Sequence, residues 1–258
     1  LNPDCVEAYY SLGDILLDLG KLTELLLLSK LTLKSKSINK GFKLLALLRI
    51  TITSLLKKDF AETQVNLKKT NDLINQEGIN NLKHAKVDKN FILTFTGFIN
   101  SLYPLLEKDN RYSNTNIIPH FGESHCLSFA HQTLSISSKV KKIQPVMITG
   151  GKAWHFSKSK NNNWKESLTQ QIKNHTYSNE ILISFGEIDC RKDEGILNYG
   201  IKNNKDISEV CEKTIKGYLD YMEEILTPNY SKKYYFGVPA PRRGKELLDD
   251  LDIKRIKM

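Results

Sequence analysis

The spacing of apolar residues changes near residue 112, and this change constrains the fold more than any other feature of the sequence. Before it, apolar residues recur every three or four positions, which is the period of a helix. After it, short β-prone runs alternate with helical segments, which is typical of a sheet with helices packed on its faces. The polar stretch 108–116 has no periodicity and indicates a linker. We therefore expect two domains, residues 1–110 and 111–258.

The first domain is predicted to be an array of packed helices. Residues 1–33 indicate a helix pair interrupted at Gly20, and apolar helical patterns follow over residues 42–52, 61–79 and 91–106. None of these segments carries a cluster of chemically reactive side chains. A structural or partner-binding role follows, and we expect this region to bind a protein partner.

The beginning of the chain resembles the tetratricopeptide repeat family, whose helix–turn–helix unit has about 34 residues. Small residues at Ala8 and Gly13 would let the two helices of such a unit approach closely. Leu25 departs from the family pattern, and no second unit follows. Because one repeat cannot bury its own apolar face, we expect further repeats before Leu1. The matching positions are Pro3-Asp4, Ala8-Tyr9, Leu12-Gly13, Leu19-Gly20 and Glu24.

The second domain is expected to be a doubly wound, mostly parallel sheet between two layers of helices, a three-layer α/β/α arrangement. Ligands of such sheets bind beyond the carboxyl ends of the strands. The predicted strands cover residues 116–121, 142–149, 180–185 and 234–238, and the predicted helices cover 127–138, 164–175 and 207–226.

Glycine-marked turns follow three of these strands, at Gly122–His125, Gly150-Gly151 and Gly186–Asp189. Ser124 would then lie on a strand-to-helix turn. Glycine permits a sharp turn there, and the N–H groups at the start of a helix can stabilise a developing negative charge. This position suits a nucleophile, although a serine at a helix start can also be a simple N-cap.

In order and spacing, the three turns resemble the motif blocks of the GDSL/SGNH hydrolase family. The resemblance covers roughly residues 116–241. It implies acyl transfer from an ester, often on a sugar, with Ser124 as the nucleophile. The backbone N–H groups of Ser124 and Gly151 would form the oxyanion hole. Glu123 stands where the family has aspartate, which is tolerable because both are carboxylates.

Two departures from the family pattern predict weak or absent hydrolase activity. Ile188 replaces the asparagine that would donate to the oxyanion, and no histidine follows His175, so the terminal Asp-x-x-His block is missing. Residues 249–254 supply carboxylates without a base. We expect the chain to be truncated at its C-terminus, and a non-catalytic ligand-binding protein with a degenerate hydrolase fold remains the alternative.

Five other side chains are candidates for substrate contact near the same turns. His125 and His155 could act as local bases or bind substrate, and His155 could equally be a packed core histidine. The charged residues Glu187, Asp189 and Arg191 could hold a sugar hydroxyl or a phosphate, or could simply pair with one another. Arg242-Arg243, after the fourth predicted strand, would add positive potential at that edge.

No metal or cofactor is expected. Zinc ligation by His125, Cys126, Asp189 and Cys190 fits the residue types, but the spacing matches no Cys-x-x-Cys pattern, and adjacent residues seldom reach one ion. The two cysteines are better explained as small buried apolar residues.

Charge and cysteine content narrow the function classes and the compartment. The net charge of +9 is spread along the chain, so it favours solubility over nucleic-acid binding. Four cysteines without a secretory signal indicate reduced thiols in the cytoplasm. The apolar stretches near residues 22–28 and 44–56 are too interrupted to predict a transmembrane helix.

Overall fold

The protein is described by a computed structural model that covers residues 6–35, 38–79, 89–108, 116–136, 138–191 and 194–237. The chain divides into two compact units. The first comprises Leu1–Thr115 and Ser128–Lys142, and the second comprises Asn116–Leu127 and Ile143–Met258. The inclusion of Ser128–Lys142 in the first unit has no counterpart in the sequence-based division. The linker predicted at 108–116 lies outside the described residues, apart from its two ends.

Successive helices of the first unit pack against each other along the chain. Helix α3 is its centre, because it is buried along nearly its whole length. Side chains cap two of the helices at their amino termini. Asn39 Oδ1 accepts a hydrogen bond from the Phe42 backbone N–H, and Asp59 Oδ1 accepts one from the Glu62 backbone N–H. The predicted helical region is thus confirmed. The described helices of this unit are α1 (Val6–Asp18), α2 (Leu22–Thr32), α3 (Lys40–Leu56), α4 (Phe60–Glu77) and α5 (Lys89–Lys108).

Gly13 on α1 makes room for a buried arginine. The Arg49 guanidinium donates to the Tyr10 carbonyl at 3.0 Å and to Asp14 Oδ1 at 2.5 Å. A methyl group on Gly13 would overlap this guanidinium. The small residue is therefore needed for Arg49 of α3, whereas the sequence analysis attributed it to the approach of the first two helices. Pro3-Asp4 of the repeat-like pattern lies outside the described residues.

The sheet is mixed, with the strand order β2-β3-β1-β4-β5. Strands β1 and β4 run parallel, with Gly122 opposite Ser184, and β4 and β5 run parallel as well. Strands β2 and β3 form an antiparallel hairpin. The predicted strands correspond to β1, β3, β4 and β5, which confirms the general α plus α/β class. The strands are β1 (Asn116–Gly122), β2 (Thr133–Ile136), β3 (Lys139–Met147), β4 (Glu180–Ser184) and β5 (Lys232–Tyr235).

The helix predicted over residues 127–138 is wrong. Ser124–Phe129 form a short 3₁₀ helix, and β2 follows it. His131 and Ser138 adopt positive φ angles of 56° and 63°, which an α-helix cannot contain. Thr133–Ile136 alternate polar and apolar residues, and this period of two outweighs the helical spacing of the apolar residues.

The described α-helices of the second unit alternate with the strands, two between β3 and β4 and two between β4 and β5: α6 (Ala153–Phe156), α7 (Asn163–Asn174), α8 (Gly195–Lys202) and α9 (Ile207–Leu226). Helices α7 and α9 confirm the predictions, whereas α6 and α8 were not predicted. Helix α9 packs against α6 and α8. The core between strands and helices is apolar and includes Phe121, Ile148, Phe156, Phe185 and Met222. Among the described helices of the chain, none combines the length and hydropathy that crossing a bilayer requires.

Candidate functional site

Three strand ends of the second unit meet at one edge of the sheet. Gly122 closes β1 and lies opposite Ser184, the last residue of β4. The Ile148 N–H, just after β3, donates to the Gly122 carbonyl at 2.8 Å. The turns that follow these strands therefore begin side by side, as expected of parallel strands.

Gly122 is required at this edge because β4 and the following turn approach it closely. A methyl group at this position would lie 2.8 Å from the Ser184 carbonyl oxygen and 3.0 Å from Cys126 Cβ, and would overlap the Ser184 hydroxyl. The sequence predicted a sharp turn at Gly122. In the structure, the missing side chain also allows β4 to approach β1 closely.

Ser124 donates its hydroxyl hydrogen to a buried carboxylate. Ser124 Oγ lies 3.0 Å from Glu123 Oε2, and the other oxygen of Glu123, Oε1, lies 2.8 Å from His125 Nδ1. Glu123 is only 1% exposed, while Ser124 is half-buried and His125 is 38% exposed. The three consecutive residues thus form a hydrogen-bonded chain in which the carboxylate stands between the serine and the histidine.

The start of the helix after Ser124 differs from the sequence-based expectation. Ser124 opens a 3₁₀ helix of six residues, not an α-helix. Hydrogen bonds in such a short segment align few peptide dipoles, so it offers less positive potential than the amino terminus of a long helix. Negative charge near Ser124 is therefore stabilised more by side chains than by the backbone dipoles of this helix.

A charged network surrounds this chain of residues. Arg191 donates two N–H groups to Glu187 Oε2, at 3.1 and 2.9 Å, and its Nη1 lies 3.7 Å from Glu194. Glu187 Oε2 is also 3.9 Å from His125 Nδ1. Lys152 extends the network by donating to Glu194 at 2.7 Å. Glu187 and Arg191 pair with each other, which is one of the two alternatives that the sequence left open.

This network favours the charged form of His125. The hydrogen bond to Glu123 raises the pKa of His125 above its ordinary value, and the charge of Glu187 acts in the same direction.

Within the described part of the chain, three of these residues bring together atoms of the kind that bind metal ions. One donor atom each of Glu123, His125 and Glu187 lies within 4.8 Å of the others. A cation there would have to displace the proton on His125 and compete with Arg191 for Glu187 Oε2. The alternative zinc set is not brought together, because the cluster in the described residues does not include Cys126, Asp189 or Cys190. Both oxygens of Asp189 accept backbone N–H groups instead.

Asp189 was predicted to contact substrate, but its carboxylate is buried and occupied. Its Oδ2 accepts the Ala153 N–H at 2.7 Å, and its Oδ1 accepts the Trp154 N–H at 3.1 Å. Burial raises the pKa of Asp189 to about 6, although these hydrogen bonds oppose the shift. Asp189 therefore holds the start of α6 to the turn after β4.

The oxyanion hole implied by the hydrolase resemblance is incomplete. The Gly151 N–H donates to the Ile148 carbonyl at 3.0 Å within its own turn, so it does not point at a substrate oxygen. Ile188 is 8% exposed and offers an apolar side chain. Neither position supplies the donor that the resemblance requires.

His155 packs as a neutral ring. It stacks on Trp164 with ring centroids 3.5 Å apart, and its Nδ1 accepts the Lys152 N–H at 3.3 Å. Burial lowers the pKa of His155 to about 4, and the Lys152 charge acts in the same direction. A packing role explains these contacts better than the predicted role of base or substrate contact. Arg242-Arg243 and residues 249–254 lie outside the described residues.

His120 was not predicted as a site residue, but it contacts Ser184 at the end of β4. Its Nε2 is 2.8 Å from Ser184 Oγ, and it is fully buried. Burial lowers the pKa of His120 to about 4. The sequence does carry a signal, because His120 and Gly122 share one face of β1 through the alternation of side chains in a strand.

Comparisons of the chain with protein-family models, with curated proteins and with solved structures found no match. Function must therefore be inferred from the residues themselves.

Proposed function

We propose that the second unit catalyses acyl transfer at Ser124, as an SGNH-like serine esterase acting on acylated sugars. The observation that carries this proposal is the hydrogen-bonded chain from Ser124 Oγ through Glu123 to His125 Nδ1. It lies at the carboxyl edge of parallel strands, where enzymes of this architecture bind their ligands. The doubly wound three-layer fold belongs to the same proposal.

In the proposed reaction, Ser124 Oγ attacks the ester carbonyl carbon and its proton passes to Glu123 Oε2. Collapse of the tetrahedral intermediate breaks the bond to the alcohol oxygen, which recovers that proton and leaves. Water or a sugar hydroxyl then attacks the acyl-serine ester and gives its proton to Glu123 Oε2. The second tetrahedral intermediate breaks its bond to Ser124 Oγ, which takes that proton back, so the acid or the sugar ester leaves and the free serine is restored. A carboxylate is a weak base for a hydroxyl, so the reaction is slow.

Arg191 and protonated His125 are proposed to supply the positive charge that the incomplete oxyanion hole lacks. Arg191 lies close enough to Glu123 for the two charges to interact, and it sits beside Glu187 at the same edge. A guanidinium presents several N–H donors in one plane and keeps its charge at neutral pH. The Ser124 N–H would be the backbone donor.

The helical unit is proposed to bind a protein partner, as its packed helices suggest.

Cys126, Cys190 and Cys211 form no disulfide within the described residues. Free thiols support a reducing compartment, and we therefore propose a cytoplasmic location.

The second candidate function is binding of an acylated sugar without catalysis. The internal hydrogen bond of the Gly151 N–H and the apolar side chain of Ile188 favour it, because each removes an oxyanion donor. Loss of one such donor typically slows catalysis by about a hundred- to thousandfold.

Hydrolysis of p-nitrophenyl acetate and of a peracetylated sugar by the purified chain separates the two candidates. We expect slow turnover that Ser124→Ala reduces to the uncatalysed rate. Ser128→Ala is the matched control, because Ser128 lies in the same 3₁₀ helix and is also half-buried. Unchanged turnover in Ser124→Ala would contradict the esterase. Binding of the sugar without any turnover would establish the second candidate.

A further inference from the structure

We propose that the second unit has another ligand site, which binds a nucleoside monophosphate in a pocket formed by α6, α8 and α9. The pocket has a volume of about 290 Å³. Its lining joins aromatic rings to ammonium groups: Trp154, Ser157, Lys158, Tyr199, Lys205, Glu209, Val210, Lys213 and Thr214. Ser124 and its partners are not part of this lining.

Two aromatic rings provide the wall of the pocket. The Trp154 and Tyr199 ring centroids are 4.6 Å apart, with an angle of 48° between the rings. Both residues are partly exposed. A tilted pair of this kind offers π surface to a planar ligand, and stacking on aromatic side chains is how proteins hold nucleic-acid bases.

The pocket carries more positive than negative charge. Lys158, Lys205 and Lys213 line it together with a single carboxylate, that of Glu209. Glu209 pairs with Lys213 at 2.5 Å. Lys158 Nζ instead lies 3.0 Å from the centroid of the Trp154 ring, a cation–π contact. Within the described residues, Lys158 and Lys205 have no ion pair with a carboxylate, so both ammonium groups can bind an anion.

Helix α9 forms one side of the pocket. It has 20 residues and begins at Ile207, and its first two turns supply Glu209, Val210, Lys213 and Thr214 to the lining. Its amino terminus is already capped, because Asp206 accepts the Glu209 N–H at 3.0 Å. Lys205, which precedes Asp206, therefore supplies the positive charge for an anionic group at this end of the pocket.

Close packing fixes the walls in place. A methyl group on Gly217 of α9 would lie 2.8 Å from the Ser157 carbonyl oxygen, and one on Gly200 of α8 would lie 2.9 Å from Ile207 Cγ1. Ser157 also donates its hydroxyl hydrogen to the Trp154 carbonyl at 3.0 Å. Because α6, α8 and α9 approach this closely, the aromatic wall and the lysines are presented by packed elements.

Size and chemistry together select the ligand class. A pocket of this volume is larger than a bare phosphate needs, and it lies near the lower end of the range for small-molecule sites. Lys158 Nζ covers the Trp154 ring in the free protein, so a planar base would stack on the Trp154 and Tyr199 wall as Lys158 leaves the ring and binds the phosphate together with Lys205. Nucleoside monophosphates have both groups.

Tryptophan fluorescence tests the proposal directly. The chain has two tryptophans, so Trp164→Phe leaves Trp154 as the single reporter. Titration of this variant with AMP should give saturable quenching with a Kd at or below about 1 mM. Lys158→Ala and Lys205→Ala should each weaken binding about tenfold, since each removes a charge-assisted contact. Lys160→Ala, an exposed lysine outside the lining, is the matched control and should have no effect.

Titrations with parts of the AMP molecule show which of its groups the pocket recognises. Adenosine and inorganic phosphate alone should each bind more weakly than AMP. Absence of saturable quenching, equal binding of inorganic phosphate and AMP, or equal weakening by Lys160→Ala would each overturn the proposal. Ser124→Ala should leave AMP binding unchanged, so this site and the proposed esterase can fail independently.

Discussion

Asp189 illustrates at the residue scale how burial makes stability depend on pH. Its pKa is raised to about 6 in the folded protein from 3.8, so the folded state binds a proton more tightly than the unfolded state. This contribution to stability is complete below pH 4 and is lost as the pH rises through 6. Over that window the free energy of unfolding should fall by about 3 kcal/mol.

Asp189→Asn isolates this contribution, because the amide does not titrate. Urea unfolding of both proteins between pH 4 and pH 7 measures it. The wild-type protein should lose stability relative to the variant as the pH rises. A difference between the two that does not change with pH would contradict the assignment. The variant's amide can still accept one of the two backbone hydrogen bonds.

The positive charge of His125 should support the reaction at Ser124. Protonated His125 is proposed to stabilise the oxyanion, so ester hydrolysis should slow as the pH rises through the raised pKa of His125. His125→Gln should remove this step from the pH profile of ester hydrolysis. His175→Gln, at a half-buried histidine outside the site, should retain it. A step that survives His125→Gln would assign the titration to another group.

At the scale of elements, the first residue of α8 packs against Asp189 at the site edge. Gly195 has a φ of 66°, and a methyl group on it would overlap the backbone of Asp189. Gly195→Ala should lower the free energy of unfolding by about 2–5 kcal/mol, from backbone strain and overpacking together. Gly237→Ala is the control, because an added methyl group there meets no atom of the described residues within 4 Å. Equal stability of the two variants in urea unfolding would refute this role of Gly195.

Elements with strong local signals could be predicted from the sequence, and those set by tertiary contacts could not. Helix α9 has the predicted bounds because Asp206 caps it by accepting the Glu209 N–H, and apolar residues then recur at helical spacing. Helix α8 has eight residues and glycines at two positions, so it gives little periodic signal. The strand β2 lies where apolar spacing suggested a helix, and its pairing with β3 decides the outcome.

The candidate site was predictable in outline only. The glycine-marked turns indicated that Ser124, Glu123, Glu187 and Arg191 belong to one edge of the sheet. The contact between Ser124 and Glu123 could not be predicted, since it depends on the conformation of a 3₁₀ turn. The same holds for Asp189, whose carboxylate turns inward to two backbone N–H groups.

At the scale of the whole molecule, each unit contains a buried neutral histidine. His120 in the second unit and His131 in the first have their pKa lowered to about 4, mainly by burial. Stability from each is present above pH 6.5 and is lost as the pH falls toward 4, by about 3 kcal/mol per histidine. Acidification should therefore destabilise both units.

The His120→Asn variant tests whether His120 makes the second unit sensitive to acid. Both tryptophans, Trp154 and Trp164, lie in the second unit, so their fluorescence reports its unfolding. The acid-dependent loss of stability seen by fluorescence should shrink in the variant. Circular dichroism reports the helices of both units, so the part of its acid-dependent loss that comes from the first unit should remain, because His131 is unchanged. An unaltered fluorescence profile would exclude His120 as a source of acid sensitivity.

Covalent labelling tests the central role of Ser124 most directly. The purified chain should react slowly with a fluorophosphonate probe, and intact-mass spectrometry should show one adduct that peptide mapping assigns to Ser124. Ser124→Ala should give no adduct, and Ser128→Ala should react like the wild type. Absence of labelling in the wild type, or an adduct that persists in Ser124→Ala, would contradict a nucleophilic serine at this position.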